Sequence, residues 1–200
     1  MEEEQCGFRK GRSCTDAIFT VQQIIEKIKE HNLPLFLLFI DYEKAYDNVN
    51  RDELSEVMNN KIPNYLVNTT KCIYRNTKVI IKFIYSISEP IHVNKGVRQG
   101  CGLSPVLFNI YSNKIIEEFK TVIKNGIQLN NRQLVNTILY ADDQIFMATS
   151  EDDLQTMAYR LNLIARKYKM TRSSTKTKAM TMWGIHIQRV NIVINDSIIE

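Results

Sequence analysis

LFLLFIDYEKAYD, residues 35–47, is the stretch of sequence that decides the fold. Its first six residues, Leu35 to Ile40, are all apolar and are bounded by Pro34 and Asp41, which is the pattern of a strand covered on both faces. Asp41 follows this strand directly. The sequence therefore predicts a carboxylate held at the rim of a rigid sheet.

A second acidic position lies between two further predicted strands. Leu134–Ala141 and Gln144–Ala148 have strand character, and Asp142 and Asp143 occupy the tight connection between them. Another strand, Gly126–Leu129, precedes them and is joined to them at Asn130 and Asn131. An Asp pair at such a connection is also common in ordinary hairpin turns, because Asp tolerates turn conformations. The pair alone leaves both interpretations open.

The remaining elements follow from periodicity and capping residues. Helical spacing predicts helices at 17–28, from about 51 to before Pro63, and at 64–74. A further helix is expected to start at Ser104 as N-cap, with Pro105 as its first residue. The capping pair Ser150 and Asp153 predicts another helix after it. Alternation and apolar runs predict strands at 79–85, 90–93, 179–182 and 190–194. Strands and helices mixed without strict βαβ alternation favour an α+β structure, an antiparallel sheet with helices packed on one face.

Length and composition indicate one globular unit. The chain has 200 residues, 44% of them hydrophobic, without a repeat or a linker, so residues 1–200 are expected to form one domain. Its 26 Lys and Arg against 22 Asp and Glu give a net charge of +4, the sign that suits a polyanionic partner but too small to establish one. Without a secretion signal or an apolar run of about 20 residues, an intracellular protein with no membrane partner is expected.

The three aspartates suggest a metal site. Like charges brought close together raise one another's pKa, so Asp41, Asp142 and Asp143 need a cation if they cluster. Carboxylate oxygens favour Mg²⁺ or Mn²⁺. The opposing interpretation is that these residues are only a strand end and a hairpin turn.

Four blocks occur in an order that is typical of one protein family: QCGFRKGRS at 5–13, FIDYEKAYD at 39–47, GVRQGCGLSP at 96–105 and YADD at 140–143. In these blocks the chain resembles reverse transcriptases of non-LTR (LINE-type) retrotransposons, over nearly its whole length. The resemblance implies a polymerase palm-like fold and RNA-directed DNA polymerase activity. It also implies that fingers and thumb are incomplete, so that residues 1–200 would be a partial reverse transcriptase domain.

The resemblance assigns roles to residues of the catalytic centre. Asp41, Asp142 and Asp143 would be the catalytic acids and the ligands of two Mg²⁺ or Mn²⁺ ions. The nucleotide-binding residues would be Tyr42 through its carbonyl, Tyr46 as a steric gate against ribose, Gln99 beside the incoming base and Lys176 near the phosphates. Tyr46 could instead be a core aromatic residue, and Lys176 a solvated surface lysine.

Template and primer contacts are implied for a second set of residues. Arg9, Lys10 and Arg12 could contact template phosphates, although a surface basic run could equally be inert. Residues of the third block and the helix after it would hold the template: Arg98, Gly100, Ser104 and Pro105.

Two residues depart from the family pattern. Gly102 stands where proline is common, which would loosen the turn into the next helix, and Arg172 stands where an apolar strand residue is usual, which would distort or expose that edge. The implied partners are an RNA template, a DNA primer, a deoxynucleotide, and the missing fingers, thumb and possible endonuclease domain, with a nuclear location for an integrating element. The alternative is a truncated, inactive remnant that at most binds nucleic acid.

Overall fold

The computed structural model describes residues 1–130, 133–183, 190–195 and 197–199. The helices are α1 (Cys14–Glu30), α2 (Ala45–Asn48), α3 (Arg51–Asn59), α4 (Asn64–Tyr74), α5 (Ser104–Val122) and α6 (Glu151–Lys167). The strands are β1 (Leu35–Ile40), β2 (Lys78–Val79), β3 (Lys82–Phe83), β4 (Ser86–Ile87), β5 (Ile91–His92), β6 (Ile127–Asn130), β7 (Gln133–Val135), β8 (Thr137–Tyr140), β9 (Asp143–Ala148), β10 (Lys178–Met182), β11 (Ile192–Ile194) and β12 (Ser197–Ile199). The predicted connection at Asn131 lies outside the described residues.

A four-stranded antiparallel sheet, in the order β10-β1-β9-β8, forms the centre of the molecule. β1 is an inner strand, with Leu38 paired to Ala179 on one side and to Phe146 on the other. The N-terminal segment continues the sheet beyond β8 through a parallel bridge between Gln5 and Leu139. The predicted α+β class and antiparallel sheet are confirmed.

Helices cover both faces of this sheet. Phe36, Leu38 and Ile40 of β1 belong to the larger core with α5 and α6, whereas Leu35 and Leu37 belong to a second core with α1. The prediction that helices pack on one face is therefore wrong. Because every residue of β1 is apolar, both of its faces need cover.

Capping residues fix the helix starts. Ser13 and Asp16 form a capping box that starts α1 three residues before the predicted start, and Asn50 and Ser150 cap α3 and α6 with their side chains. At α5 the N-cap is Leu103 rather than Ser104, which the sequence had suggested. Ser104 is buried instead and its hydroxyl lies 3.2 Å from the hydroxyl of Tyr74.

The segment 78–92 forms two short strand pairs instead of the predicted strand 79–85. β2 pairs with β5, but β3 turns back at once onto β4, and Ile84 between them has a φ of 40°. Many of its apolar side chains, such as Phe83, Ile84 and Tyr85, are exposed. Strand alternation gave no warning of this reversal because a non-glycine residue adopts the positive φ.

Candidate active site

Three aspartates converge at one edge of the central sheet, which we name the acid wall: Asp41, Asp142 and Asp143. β1 and β9 are antiparallel neighbours with Ile40 opposite Gln144, so the next position along each strand places Asp41 beside Asp143. Asp142 lies in the turn between β8 and β9. Partial burial, followed by the nearby charges of Asp142 and Asp41, raises the pKa of Asp143. The acids thus repel one another electrostatically.

Lys176 supplies a cation to the acid wall. Its Nζ lies 3.4 Å from Asp41 Oδ2, and its side chain is 70% exposed. The loop that carries it is fixed at Ser173, whose backbone N–H donates to the Asp41 carbonyl at 2.7 Å and whose hydroxyl accepts from the Lys176 N–H at 3.3 Å. The ion pair is thus exposed but anchored through its backbone.

Arg172 is paired with the segment that follows β1. Arg172 forms an antiparallel bridge with Tyr42, and Glu43 N–H donates to the Thr171 carbonyl at 2.8 Å. The guanidinium is partly buried and donates to the Ile194 carbonyl at 2.9 Å. The edge is therefore not exposed at Arg172, because the long side chain reaches a backbone acceptor, although Nε and Nη1 of its guanidinium are buried without a hydrogen-bond partner.

The donor set of the acid wall suits a hard divalent cation. Three carboxylates from a strand end and an adjoining turn are the oxygen ligands that Mg²⁺ and Mn²⁺ prefer. In the described part of the chain, no three acidic, histidine or cysteine side chains are already gathered as metal ligands. Asp41 is paired with Lys176, Asp142 is partly buried, and Asp143 is exposed at the start of β9.

A glycine-rich loop stands opposite the acids, and we name residues 96–102 the loop wall. Two backbone hydrogen bonds of 2.8 Å tie it to the segment after β1: Gly96 N–H to the Val49 carbonyl and Val97 N–H to the Tyr46 carbonyl. Gln99 donates from its amide to Asp47 Oδ1 at 3.3 Å. The block at 39–47 therefore contributes to both walls, with Asp41 in one and the support of the loop in the other.

Between the walls lies a cleft of about 760 Å³. Among the described residues, its lining comprises Phe8, Asp41, Tyr42, Lys44, Ala45, Tyr46, Gln99, Gly100, Cys101, Gly102, Ser104, Pro105, Asp142 and Lys176. A separate cavity of about 560 Å³ between α3 and α4 contains none of the three acids. The cleft has the size expected of a small-molecule site.

The two tyrosines of the block at 39–47 differ in orientation. Tyr42 is buried and its hydroxyl donates to Gln144 Oε1 at 3.3 Å, so only part of the residue lines the cleft. The ring of Tyr46 is half-buried and stacks on Phe108 with ring centres 4.9 Å apart. Burial and the charge of Asp142 raise the pKa of Tyr46. Tyr46 is thus both packed against the core and close to the acids.

The predicted basic contacts lie outside the cleft. Arg9 and Arg12 both pair with Glu3, at 2.8 and 2.5 Å. Arg98 donates to the Ile73 carbonyl at 2.9 Å and stacks over Tyr74. These arginines have internal partners, whereas Gly100, Ser104 and Pro105 of the same predicted set line the cleft.

The cleft residues that sequence reasoning missed include Phe8, Lys44 and Cys101. Phe8 and Lys44 have φ values of 50° and 43°, and Phe8 is 59% exposed. Backbone N–H groups at the start of α5, Leu103 first, lower the pKa of the Cys101 thiol. All three lie inside the quoted blocks, so position within a block was the available signal.

The fold of this chain has counterparts among solved structures. The chain superposes on telomerase from Candida tropicalis, solved with the TWJ fragment of telomeric RNA, with a TM-score of 0.67 and 15% identity, covering 89% of this chain and 30% of that one. An apo form of the same enzyme gives a TM-score of 0.62 at 16% identity, covering 91% of this chain and 33% of that one. The chain therefore shares its fold with these telomerase structures.

Residues 1–192 match the family described as reverse transcriptase (RNA-dependent DNA polymerase), and the chain belongs to it. A Pol polyprotein of the type-1 retrotransposable element R2 from Nasonia vitripennis is 28% identical, covering 64% of this chain and 12% of the relative. A transposon TX1 protein from Xenopus laevis is 29% identical, covering 72% of this chain and 11% of the relative. A probable RNA-directed DNA polymerase of the Drosophila melanogaster X-element is 25% identical, covering 88% of this chain and 19% of the relative. The predicted resemblance is confirmed. The chain spans less than a fifth of these relatives' length.

Membership of this family implies dependence on a divalent metal ion in general. Within the described ranges, no helix is long and apolar enough to cross a bilayer.

Proposed function

We propose that this chain is the reverse transcriptase region of a non-LTR retrotransposon protein and that it adds deoxynucleotides to a primer 3′-hydroxyl as it copies RNA. The single observation that carries this proposal is the cleft, which is lined by Asp41, Asp142, Tyr46 and Gln99 together. The fold class and family membership support it.

Asp41, Asp142 and Asp143 are the proposed ligands of two Mg²⁺ or Mn²⁺ ions. Ions held there would supply a lowered pKa of the primer hydroxyl and neutralisation of charge on the leaving pyrophosphate. Lys176 is held at the rim by Ser173, so its ammonium can leave Asp41 for a phosphate oxygen without backbone movement. We assign to it the proton that the departing pyrophosphate requires.

The nucleotide lies between the two walls in this proposal. Tyr46 is stacked on Phe108, which prevents its ring from moving aside, and it would collide with a ribose 2′-hydroxyl. Gln99 can exchange its exposed hydrogen bond with Asp47 for a base edge. The carbonyl of Tyr42 is the proposed backbone ligand next to Asp41.

The template strand passes along the loop wall and the start of α5 in this proposal. Gly100, Ser104 and Pro105 line that side of the cleft and let a strand approach the backbone. Arg98 would reinforce the loop through its contact with Ile73. Template phosphates would replace the Glu3 carboxylate on Arg9 and Arg12, which keeps those contacts independent of sequence.

The chain is proposed to work as part of a longer protein. The relatives' greater length is consistent with fingers, thumb and an endonuclease domain elsewhere in such a protein, and integration would require access to nuclear DNA. On this view residues 1–200 are a partial reverse transcriptase domain.

Primer extension tests the function. The chain is incubated with a DNA primer on an RNA template, Mg²⁺ and deoxynucleotides, beside its Asp142→Ala/Asp143→Ala variant and beside Asp152→Ala as a matched control. We expect extension by the chain and by the control, and none by the double variant. Equal extension by the double variant would refute the site. Binding of primer and template by a folded wild-type chain without extension would instead favour the inactive remnant.

A further inference from the structure

Ala141 carries the backbone strain of the acid wall. It is the first residue of the tight turn between Tyr140 and Asp143, which pair across the hairpin, and its φ is 58°. Glycine is the usual residue at a turn position of this kind, because a Cβ makes a positive φ unfavourable. The turn that presents Asp142 therefore needs support from outside the hairpin.

Gln5 provides that support. Its Nε2 donates to the Ala141 carbonyl at 3.2 Å, and its Oε1 accepts from the Ala141 N–H at 3.0 Å. One side-chain amide thus binds both polar backbone groups of the strained residue. Gln5 is 3% exposed, so these hydrogen bonds are shielded from water.

The segment around Gln5 is itself fixed against the turn. Gln5 Oε1 also accepts from the Gly7 N–H at 2.7 Å, and the fully buried Asn109 of α5 donates to the Gly7 carbonyl at 2.8 Å. A Cβ at Gly7 would lie 2.2 Å from the Ala141 nitrogen. Backbone therefore contacts backbone directly, and Gln5 is held on a rigid support rather than on a free terminus.

We propose that Gln5 is a positioning residue of this active site, which fixes the peptide leading into Asp142 and thereby the direction of that carboxylate. Gln5 is about 136 residues from Ala141 in sequence and does not line the cleft. It acts through Ala141 and touches neither substrate nor metal ion. Partners that orient a metal ligand in this way typically contribute 10–100-fold to affinity or activity. The inference rests on the proposed polymerase function.

Gln155 offers a matched control. Its amide donates to the Val193 carbonyl at 2.8 Å and accepts from the Val193 N–H at 2.8 Å, the same paired contact on β11 instead of at the acid wall. Replacing either glutamine by methionine preserves the length of the side chain and removes its hydrogen bonds. Gln5→Glu is the conservative variant, because its carboxylate can still accept from Ala141 and Gly7.

The first measurement is backbone amide exchange of Ala141 by NMR, which needs neither metal nor substrate. In Gln5→Met we expect the Ala141 N–H to exchange at least tenfold faster than in the wild type, while Gln155→Met leaves it unchanged. Equal exchange in Gln5→Met and wild type would overturn the proposal.

The second measurement is Mn²⁺ binding by electron paramagnetic resonance, with primer extension over a range of deoxynucleotide concentrations. In Gln5→Met we expect Mn²⁺ affinity and kcat to fall about 10-fold or more, with little change in KM. Gln5→Glu should retain more of kcat, and Gln155→Met all of it. Faster exchange with unchanged Mn²⁺ affinity and kcat would overturn the positioning role. A wild-type chain that neither binds Mn²⁺ nor extends primers would refute the proposed function. The exchange result would still show whether Gln5 protects the Ala141 N–H.

Discussion

The two walls of the cleft are built in opposite ways. At the acid wall, backbone is packed so closely that a methyl group added at Gly7 would overlap the Ala141 backbone. At the loop wall, Gly96 is packed against the Asp47 backbone, but beyond this base a methyl group added at Gly100 or Gly102 would meet nothing within 4 Å. The comparison suggests a division of labour, because metal ligands need fixed geometry, whereas a loop against a changing base pair needs room.

The acid wall should be the part of the site that a small change damages most. Gly7→Ala forces the backbone of the 140–141 turn to move, and we expect it to lower the free energy of unfolding by about 2–3 kcal/mol. Urea denaturation measures the loss. Gly102→Ala is the control on the loop wall, where the change should stay within about 0.5 kcal/mol. Equal losses in the two variants would remove the contrast between the walls.

Substitutions at Tyr46 test whether its ring, packed on the core, excludes ribonucleotides from the cleft. Tyr46→Val removes the ring stacked on Phe108, and we expect discrimination against ribonucleotides to fall by about 10-fold or more. The ratio of kcat/KM for deoxy- and ribonucleotides measures it. Tyr46→Phe keeps the ring and should keep the discrimination. Unchanged discrimination in Tyr46→Val would make Tyr46 a core residue alone.

Asp143→Asn tests how much repulsion among the three aspartates of the acid wall destabilises the folded protein. Because the folded-state pKa of Asp143 is raised, the folded protein binds the proton more tightly than the unfolded chain, so stability falls as pH rises through that pKa. Asp143→Asn removes this loss. Without metal we expect the variant to be more stable than the wild type at pH 7, by less than about 1 kcal/mol because solvent screens exposed charges.

The stability difference caused by Asp143→Asn should vanish below the ordinary Asp pKa of about 3.8, where the carboxyl is protonated in both states. Urea denaturation at both pH values checks this, and Asp152→Asn serves as the exposed control. A variant less stable than the wild type at pH 7 would contradict repulsion at the acid wall.

Alkylation of Cys101 is expected to show the smallest effect, and it tests whether the nucleotide lies at the loop wall. The lowered pKa of Cys101 should make it react with iodoacetamide at a lower pH than an ordinary thiol, and a bound nucleotide should slow the reaction. Mass spectrometry of the labelled peptide follows the rate, with Cys101→Ser as control. No protection by any deoxynucleotide with Mg²⁺ would place the nucleotide away from the loop wall.

Sequence reasoning succeeded where the signal is local. The apolar run Leu35–Ile40 was correctly predicted as a strand, and α4 was predicted with its observed bounds, Asn64–Tyr74. The aspartates followed because each adjoins a strand whose end is evident from composition. The local signal gave the position of Asp41 and Asp142 at strand ends, whereas their catalytic role was implied by the family resemblance and stays a prediction.

The failures involve contacts between distant segments. No periodicity indicates that α1 covers the second face of the sheet, that Glu3 pairs with Arg9 and Arg12, or that Gln5 binds Ala141. These contacts depend on the N-terminal segment lying beside β8. The turn at Ile84 was missed for a different reason, since a positive φ at a β-branched residue contradicts its local preference.

Metal-dependent nucleotide binding tests most directly whether the two walls form one site. A deoxynucleoside triphosphate is titrated into the labelled chain and into Asp142→Asn, with and without Mg²⁺, and NMR shifts are recorded at both walls. We predict shifts at Asp41, Tyr46 and Gln99 in the wild type only when Mg²⁺ is present, and their loss in Asp142→Asn. Shifts that occur without Mg²⁺, that persist in Asp142→Asn, or that lie outside the cleft would contradict the account.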